Sequence, residues 1–324
     1  MTNISEIAKK AKVSRTTVSR VLNNHPYVKA DKRDAVLQVV KEMHYVPNFN
    51  AVHLSKGKTN IIGVMVPKID HPFFSQLIAG IGDACNRYSY SLLLHQSNND
   101  LNQELDFFNK LKYKLVDGLI LGSTISPAHV LDDMSGYGKI ISCEASESSK
   151  IASVFINHES GMQLALDHLR EQGHQHIGLC IGNAKSGVGV NRKKSFFQYQ
   201  QKHQLNWNTD WYFDGKYTIE DGIHVARALF SLPQRPTAIV VGSDYVAAGI
   251  IYEAKKQGVP IPESLAVTGF DNQPISEVME LSTIHQPIKE LGNTAAELLY
   301  NLINNQEIPS TNKLELKLLA RKST

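Results

Sequence analysis

Short apolar runs that alternate with helical patterns constrain the fold of this chain more than any other feature of its sequence. Continuous apolar strands separated by helices are typical of parallel sheets that are covered on both faces. Each run is far shorter than the roughly 20 residues that span a bilayer, so we expect no membrane segment. The runs lie at Ile61–Val66, Tyr90–Leu94, Val116–Leu121, Lys139–Ser142, His176–Ile181, Trp211–Phe213, Ala238–Val241 and Leu265–Gly269.

These runs divide into two similar halves on either side of about residue 158. The segments Asp117–Ser123 and Thr237–Ser243 both read as an apolar run that ends in Gly-Ser, which is a weak internal repeat. We therefore predict two similar α/β subdomains. Ligands of such sheets bind beyond the carboxyl ends of the strands, so a cleft between the halves is the expected ligand site.

The first 58 residues differ from the rest in charge. They hold eleven Lys and Arg residues against four acids, a net charge of +7, so the remaining 266 residues carry −4 of a total of +3. A small basic segment attached to a mildly acidic body indicates binding to a polyanion such as DNA.

Three short helices are predicted in this basic segment. Asn3 with Glu6 can cap the first helix, Ser14 can cap the second, and the third covers about Asp31–His44. The second helix reads Arg-Thr-Thr-Val-Ser-Arg after Ser14, so its outward face carries groups that bind phosphates and base edges. A helix-turn-helix motif places such a helix in the major groove.

A longer sequence pattern, which extends from the first helix to Leu54, is more specific than the charge and the caps alone. Ile7-Ala8-x-x-Ala11-x-Val13-Ser14-x-x-Thr17-Val18-Ser19-Arg20-Val21-Leu22-Asn23, followed by Tyr45-x-Pro47-Asn48 and Ala51-x-x-Leu54, resembles the lactose/galactose repressor family of bacterial transcription regulators. The resemblance implies a small all-α helix-turn-helix head and an α/β body of two parallel-sheet subdomains, similar to periplasmic sugar-binding proteins.

The resemblance also implies domain boundaries. The head would cover 1–47, a hinge helix or linker 48–58, and an effector-binding and dimerisation domain 59–324. Within the last, the N-subdomain would comprise about 59–157 plus 286–315, and the C-subdomain about 158–285 plus 316–324.

The same resemblance implies a set of DNA contacts. Arg15 and Thr16 match positions that select the operator, and Leu54 matches a leucine that wedges a base step in the minor groove, where Ala51 allows two hinge helices to approach. The full expected set is Ser14, Arg15, Thr16, Thr17, Ser19, Arg20, Asn23, Tyr45, Asn48, Ala51 and Leu54.

The head departs from the family pattern at two positions. Lys12 stands in a turn where the family commonly has Gly, which matters if the backbone there needs a positive φ. Lys29 stands where the third helix commonly has a Ser or Thr cap. Both departures predict a slightly less stable head.

Polar and aromatic side chains near the predicted strand ends are candidate ligand contacts. Asp271 follows the last apolar run, and Arg192 follows the loop 187–191; a carboxylate and a guanidinium can hold sugar hydroxyls, although an interdomain ion pair is the alternative. Aromatic faces suit the CH faces of a sugar, although core packing is an alternative for each ring. The resemblance directs the following residues to the cleft: Phe73, Phe74, Arg192, Tyr217, Ser243, Asp244 and Asp271.

These features predict a homodimeric DNA-binding repressor of sugar-utilisation genes. Two heads would read a near-palindromic operator, and a small molecule, a sugar or sugar phosphate, would control affinity. A phosphorylated carrier protein or a purine remains an alternative signal, and a ligand-binding or catalytic module is a remote one. No catalytic, cofactor or metal motif is present, so we expect no enzyme and no cofactor. The scattered cysteines and the absence of a secretory signal favour the cytoplasm.

Overall fold

The computed structural model describes residues 3–46, 57–307 and 311–324, and for residues 311–313 it describes the backbone alone. The chain divides into two compact units, 1–58 and 59–324. Within the described ranges, no helix has the length and apolar character that a membrane crossing requires.

Three helices form the described part of the first unit, and the two predicted caps are present. Asn3 Oδ1 accepts hydrogen bonds from the backbone N–H groups of Ser5 and Glu6 at 2.9 and 3.1 Å. Ser14 Oγ accepts one from the Thr17 N–H at 3.1 Å. The helices are α1 (Ile4–Lys10), α2 (Arg15–Leu22) and α3 (Ala30–Glu42), and their buried core comprises Ile7, Ala8, Val18, Val21, Val36 and Val39.

The two unusual lysines of the head have the backbone roles expected of them. Lys12 adopts a φ of +54°, the left-handed region that favours glycine. Lys29 is the N-cap of α3, and its side chain makes no capping hydrogen bond. The head is therefore less stable than it would be with glycine at position 12 and a capping Ser or Thr at position 29.

We predict that Lys29→Ser stabilises the head. Lys29 has φ −57° and ψ 143°, an extended conformation in which a serine hydroxyl can accept an N–H of the first turn of α3. The gain in free energy of unfolding should be about 1 kcal/mol. Amide hydrogen exchange of α3 in the full-length chain measures it, with Lys29→Ala as the control for lost charge. Equal protection in the Ser and Ala variants would contradict the prediction.

Two six-stranded sheets form the core of the second unit. The first has the order β11-β5-β4-β3-β1-β2 and is parallel throughout; the second has the order β12-β10-β9-β8-β6-β7 and is parallel except that β12 pairs antiparallel with β10. The strands are β1 (Ile61–Val66), β2 (Ser91–Gln96), β3 (Gly118–Leu121), β4 (Lys139–Ser142), β5 (Ala152–Ile156), β6 (Ile177–Cys180), β7 (Tyr212–Phe213), β8 (Ala238–Val241), β9 (Ala266–Asp271), β10 (Ser282–His285), β11 (Thr311–Leu314) and β12 (Lys317–Leu319).

Each of the eight predicted apolar runs contains or overlaps a strand, but four strands have no predicted counterpart. Ala152–Ile156, Ser282–His285, Thr311–Leu314 and Lys317–Leu319 are short and interrupted by polar residues. In β10, the polar residue Ser282 is buried. Its burial is tolerated because its N–H donates to Ser323 Oγ at 2.8 Å and its hydroxyl accepts the Arg321 N–H. Hydrogen bonds from the end of the chain therefore replace apolar patterning, and a search for apolar runs cannot find such a strand.

Helices cover both faces of each sheet, which confirms the predicted fold class. In β8, Ala238 and Val240 pack into one buried cluster while Ile239 and Val241 pack into the other, as alternation along a strand requires. The helices of this unit are α4 (Pro72–Arg87), α5 (Leu101–Lys112), α6 (Ala128–Met134), α7 (His158–Glu171), α8 (Gly187–His203), α9 (Ile219–Ser231), α10 (Asp244–Lys256), α11 (Pro274–Val278) and α12 (Ile288–Ile303), with a 3-10 turn at Thr209–Trp211.

The chain passes three times between the sheets. The first sheet draws its strands from 61–156 and 311–314, and the second from 177–285 and 317–319. We call the parts built on the first and second sheets the N-subdomain and the C-subdomain.

One segment that we predicted to be a loop is helical, and the candidate aromatic residues Phe73 and Phe74 lie in a helix as well. Phe73 and Phe74 lie in the first turn of α4, because Pro72 opens the helix and His71 Nδ1 accepts the Phe73 N–H at 3.3 Å. Residues 187–191 begin α8, because Ser186 Oγ accepts the Gly189 N–H at 3.1 Å. Arg192 therefore projects from a helix, which fixes it more firmly than a loop would.

Candidate functional site

The exposed face of α2 presents the groups expected to bind DNA. Arg15, Thr16, Ser19 and Arg20 are exposed, while Val18 is buried in the head core on the other side of the helix. Residues at i, i+1, i+4 and i+5 share one side of an α-helix. Within the described ranges, no ion pair engages either arginine, so both guanidinium groups are available to a partner.

The other predicted head contacts have structural partners. The Ser14 and Thr17 hydroxyls are 2.9 Å apart, and Asn23 Nδ2 donates to the Ser19 carbonyl at 2.9 Å. Tyr45 is half-buried and packs on the head core. The last three predicted contacts, Asn48, Ala51 and Leu54, lie outside the described residues, as does 48–56 of the predicted hinge, so their roles stay predictions.

In the body, Arg192 is buried at the carboxyl end of the C-subdomain sheet. Its Nη1 donates to the Gly242 carbonyl at 2.8 Å, and its guanidinium carbon lies 4.0 Å from the centre of the Phe270 ring. A Cβ at residue 242 would stand 2.9 Å from Nη1, so only glycine permits this approach. Burial lowers the pKa of Arg192 to about 10, so the side chain stays charged at neutral pH.

Asp271 ends β9 in the same region and is 5 % exposed. Gln286 Nε2 donates to its Oδ1. Burial raises the pKa of Asp271, the nearby Asp244 raises it further, and Arg192 opposes both. The charges of Arg192 and Asp271 attract, yet no ion pair within 4.0 Å joins these two described residues. The interdomain ion pair considered above is not formed, since both belong to the C-subdomain.

Asp244 has a different environment from the one we predicted. It is fully buried, and its carboxylate accepts hydrogen bonds from the Gln273 N–H and the Thr283 hydroxyl, each at 2.6 Å. These bonds hold the segment after β9, so the position of Asp244 supports a structural role behind the cleft rather than direct ligand contact. Its neighbour Ser243 begins α10 without a side-chain capping bond.

Aromatic rings of both subdomains meet at the cleft. Tyr217 is 40 % exposed, and its ring centre lies 6.2 Å from that of His71 in an edge-on arrangement. A Cβ at Gly182 would stand 2.8 Å from the Tyr217 ring, so the glycine makes room for it. Phe73 and Phe74 are half-buried, in edge-on contact at 5.2 Å, and both also pack on the N-subdomain core. These two rings therefore pack on the core, as the alternative interpretation expected, and each also keeps part of its surface exposed.

A depression of about 360 Å³ lies beside Tyr217 on the C-subdomain. Its lining combines amide, charged and aromatic groups. The residues are Asn183, Ala184, Lys185, Asp214, Gly215 and Tyr217.

Three buried polar atoms among the described residues of the cleft region lack a hydrogen-bond partner. They are Arg192 Nε and Gln273 Nε2, which are donors, and Gln286 Oε1, which is an acceptor. A buried polar atom without a partner is costly, so sites that retain such atoms are candidates for binding a ligand. All three belong to side chains around Asp271: Gln286 donates a hydrogen bond to it, the charge of Arg192 lowers its pKa, and Gln273 lies two residues further along the chain.

Sequence reasoning missed several residues of this region. His158 Nδ1 lies 3.5 Å from Arg192 Nη2, and burial keeps the pKa of His158 well below its ordinary value. Gln286 holds Asp271. Glu144 follows β4 in the N-subdomain, where burial raises its pKa to about 7, with a smaller raising effect from Glu104 and an opposing hydrogen bond from Ser123. In the sequence, nothing about the spacing of Gln286 or of Glu144 distinguishes either residue from an ordinary surface residue.

Comparison with known proteins identifies the family. Residues 3–48 match the model of bacterial regulatory proteins of the lacI family, and residues 166–324 match the periplasmic binding protein-like domain. The chain is 39% identical to the NTD biosynthesis operon regulator NtdR of Bacillus subtilis (strain 168) over 100% of both chains. The protein belongs to the lacI family. It is therefore a DNA-binding transcription regulator and not an enzyme.

Solved structures share the fold of this chain. The fold matches the Lac repressor dimer bound to operator and the anti-inducer ONPF with a TM-score of 0.88, at 24% identity and over 99% of this chain and 98% of that one. A lacI-family transcriptional regulator from Lactobacillus casei with bound sucrose matches with a TM-score of 0.76, at 29% identity and over 82% of this chain and 99% of that one.

We predict that the body of this lacI-family protein loses stability as Glu144 ionises. A carboxyl whose folded pKa of about 7 exceeds its ordinary 4.5 stabilises the fold fully below pH 4.5, and this contribution is lost as pH rises through 7. Glu144→Gln should remove that part of the pH dependence. Urea unfolding between pH 5 and 8 measures it, with the exposed Glu147→Gln as the control. Parallel pH profiles for wild type and Glu144→Gln would contradict the prediction.

Proposed function

We propose that this regulator is a homodimeric repressor of sugar-utilisation genes, controlled by a small polyhydroxylated ligand in the cleft. The observation that carries the proposal is the pair of buried side chains Arg192 and Asp271, a guanidinium and a carboxyl that make no ion pair with each other. Three buried polar atoms of this corner, Arg192 Nε, Gln273 Nε2 and Gln286 Oε1, have no partner among the described residues.

The chemistry of these groups suits a sugar. A hydroxyl can donate to Asp271 or Gln286 Oε1, while another accepts from Arg192 Nε. The Tyr217 ring offers an apolar face for ring CH groups. A neutral sugar can satisfy these groups with hydroxyls alone, so no charge of the ligand has to be buried in this corner. The bound sucrose in the Lactobacillus casei relative supports the same class.

The head supplies the DNA contacts in this proposal. Arg15 and Thr16 would read base edges, and Ser19 and Arg20 would contact the backbone or bases. Two heads of a dimer bind half-sites about one helical turn apart, so the operator should be nearly palindromic. The operator-bound Lac repressor dimer supports this assembly. Since a regulator acts where the chromosome lies, we expect the protein in the cytoplasm.

Ligand binding would act through the angle between the subdomains. The effector can shift the operator equilibrium only by its difference in affinity between the two arrangements, which is typically worth about 1–3 kcal/mol. A change in that angle would change how the predicted hinge helices, with Leu54 as the wedge, fit the minor groove.

We predict that a neutral sugar stabilises the wild-type protein and not Asp271→Asn. A ligand at about one hundred times its dissociation constant adds about 2.7 kcal/mol to the free energy of unfolding. Asn tolerates a positive φ, here +110°, better than most residues and has nearly the size of Asp, so the variant should fold. Thermal unfolding against a panel of sugars, sugar phosphates, nucleobases and nucleosides measures the shift.

Three results of that panel would change the proposal. A shift that persists in Asp271→Asn would move the ligand elsewhere. A shift with nucleobases alone would replace the sugar with a purine. No shift with any compound, in a folded protein that still binds operator DNA, would favour a phosphorylated carrier protein as the signal.

We predict that Arg15→Ala reduces the preference for the operator over unrelated DNA. A bidentate arginine contact to guanine contributes about 1–3 kcal/mol of discrimination, which corresponds to roughly 5- to 150-fold. Lys41→Ala in the last turn of α3 is the matched control, because it removes the same charge from the head and should weaken binding to both DNAs equally. Gel-shift titrations at fixed salt measure both ratios. An unchanged ratio in Arg15→Ala would contradict its role in base recognition.

A further inference from the structure

A side-chain hydrogen bond joins described residues of the two subdomains across the cleft. Gln76 Nε2, on α4 of the N-subdomain, donates to Gln273 Oε1 of the C-subdomain at 2.7 Å. Gln273 is only 2 % exposed, and Gln76 is half-buried. The ring contact of His71 with Tyr217 also crosses the cleft, but at 6.2 Å between centres it constrains the subdomains less closely.

Gln273 is rigidly connected to the candidate ligand contact Asp271. Asp271 and Asn272 have φ values of +110° and +54°, a conformation that persists only where surrounding contacts enforce it. Those contacts are present: Asp244 accepts the Gln273 N–H at 2.6 Å, and Arg321 donates to Asn272 Oδ1 at 3.0 Å. Asp271 therefore cannot shift without moving Gln273.

Gln76 has a comparable connection to the N-subdomain wall. It lies in α4 two and three residues after Phe74 and Phe73, the candidate aromatic contacts. The two glutamines thus each stand within three residues of a predicted ligand contact, one on each side of the cleft.

We propose that Gln76 and Gln273 are positioning residues whose hydrogen bond sets the angle between the subdomains. A ligand that contacts Asp271 and the α4 aromatic residues draws the same two segments together and so favours this bond. Removing the donor leaves the buried Gln273 carbonyl without a partner, which disfavours the present arrangement. The bond joins two neutral groups, so neither pH nor salt should abolish it. The link to ligand affinity rests on the proposed effector function; the effect on the angle does not.

Pulsed EPR on the full-length protein without ligand tests the effect on the angle. Spin labels at Asp106→Cys on α5 and Lys202→Cys on α8 report the distance between the subdomains, since both positions are exposed and the native Cys85, Cys143 and Cys180 are buried. We expect a narrow distance distribution in the otherwise wild-type protein. Gln76→Met and Gln273→Met should each broaden it, and the double variant should be no broader than either single variant.

Two further variants separate the hydrogen bond from side-chain volume. Gln76→Glu should retain the narrow distribution, because the Gln273 amide can rotate and donate to the carboxylate. Gln103→Met, an exposed glutamine on α5, should leave it unchanged. Unchanged distributions in both methionine variants at 76 and 273, or a Gln76→Glu variant as broad as Gln76→Met, would overturn the proposal.

The ligand-dependent part is measured by isothermal titration with whichever sugar stabilises the wild-type protein. Gln76→Met should weaken its binding about fivefold, the loss expected for one hydrogen bond. A broadened EPR distribution with unchanged affinity would overturn the link to the ligand. Broadening in a protein that binds none of the sugars would count against the proposed effector while supporting the role of the bond in setting the angle.

Discussion

Coverage of both faces of a parallel sheet is the constraint on which the rest of this body depends. Alternate side chains of strands such as β8 enter two different buried clusters, so neither face is left for a polar site. Binding groups are therefore confined to the segments that leave the carboxyl ends of the strands. Asp271, Ser243 and Glu144 all occupy such positions, and the contact of Gln76 with Gln273 shows that these ends of the two subdomains face each other.

The buried charges of the body fall into two groups with different consequences. Glu104 accepts hydrogen bonds from the Thr124 hydroxyl and from the N–H groups of Ile125 and Ser126, so its carboxylate is fully used in shaping the loop after β3. Asp244 is used in the same way behind Asp271. Arg192 instead keeps a buried Nε without a partner. Satisfied carboxylates build the walls of the cleft, whereas the unsatisfied guanidinium has hydrogen-bonding capacity left for a ligand.

Local sequence signals predicted the head and most of the sheets well. The caps at Asn3 and Ser14 were found because each bond spans two or three residues, and the strand Ile61–Val66 was found because it is continuously apolar. The strand at Ser282–His285 was missed because distant hydrogen bonds bury it. Among the candidate site residues, Arg192 and Asp271 were predicted, while Gln286, His158 and Gln76 were not, because their contacts involve partners 15 to 197 positions away.

The sequence by itself determined the class of this protein: a basic helix-turn-helix head, a two-part α/β body and membership of the lacI family. Caps, apolar runs and local charge depend on residues that are close in the sequence, so they can be recognised from the sequence alone. Only the tertiary structure decided which polar groups keep unused hydrogen-bonding capacity and which are already bonded, as the contrast between Arg192 and Asp244 shows. Both side chains are buried, and only their surroundings, assembled from several strands and helices, leave one with an unpaired donor and the other with both carboxylate oxygens occupied.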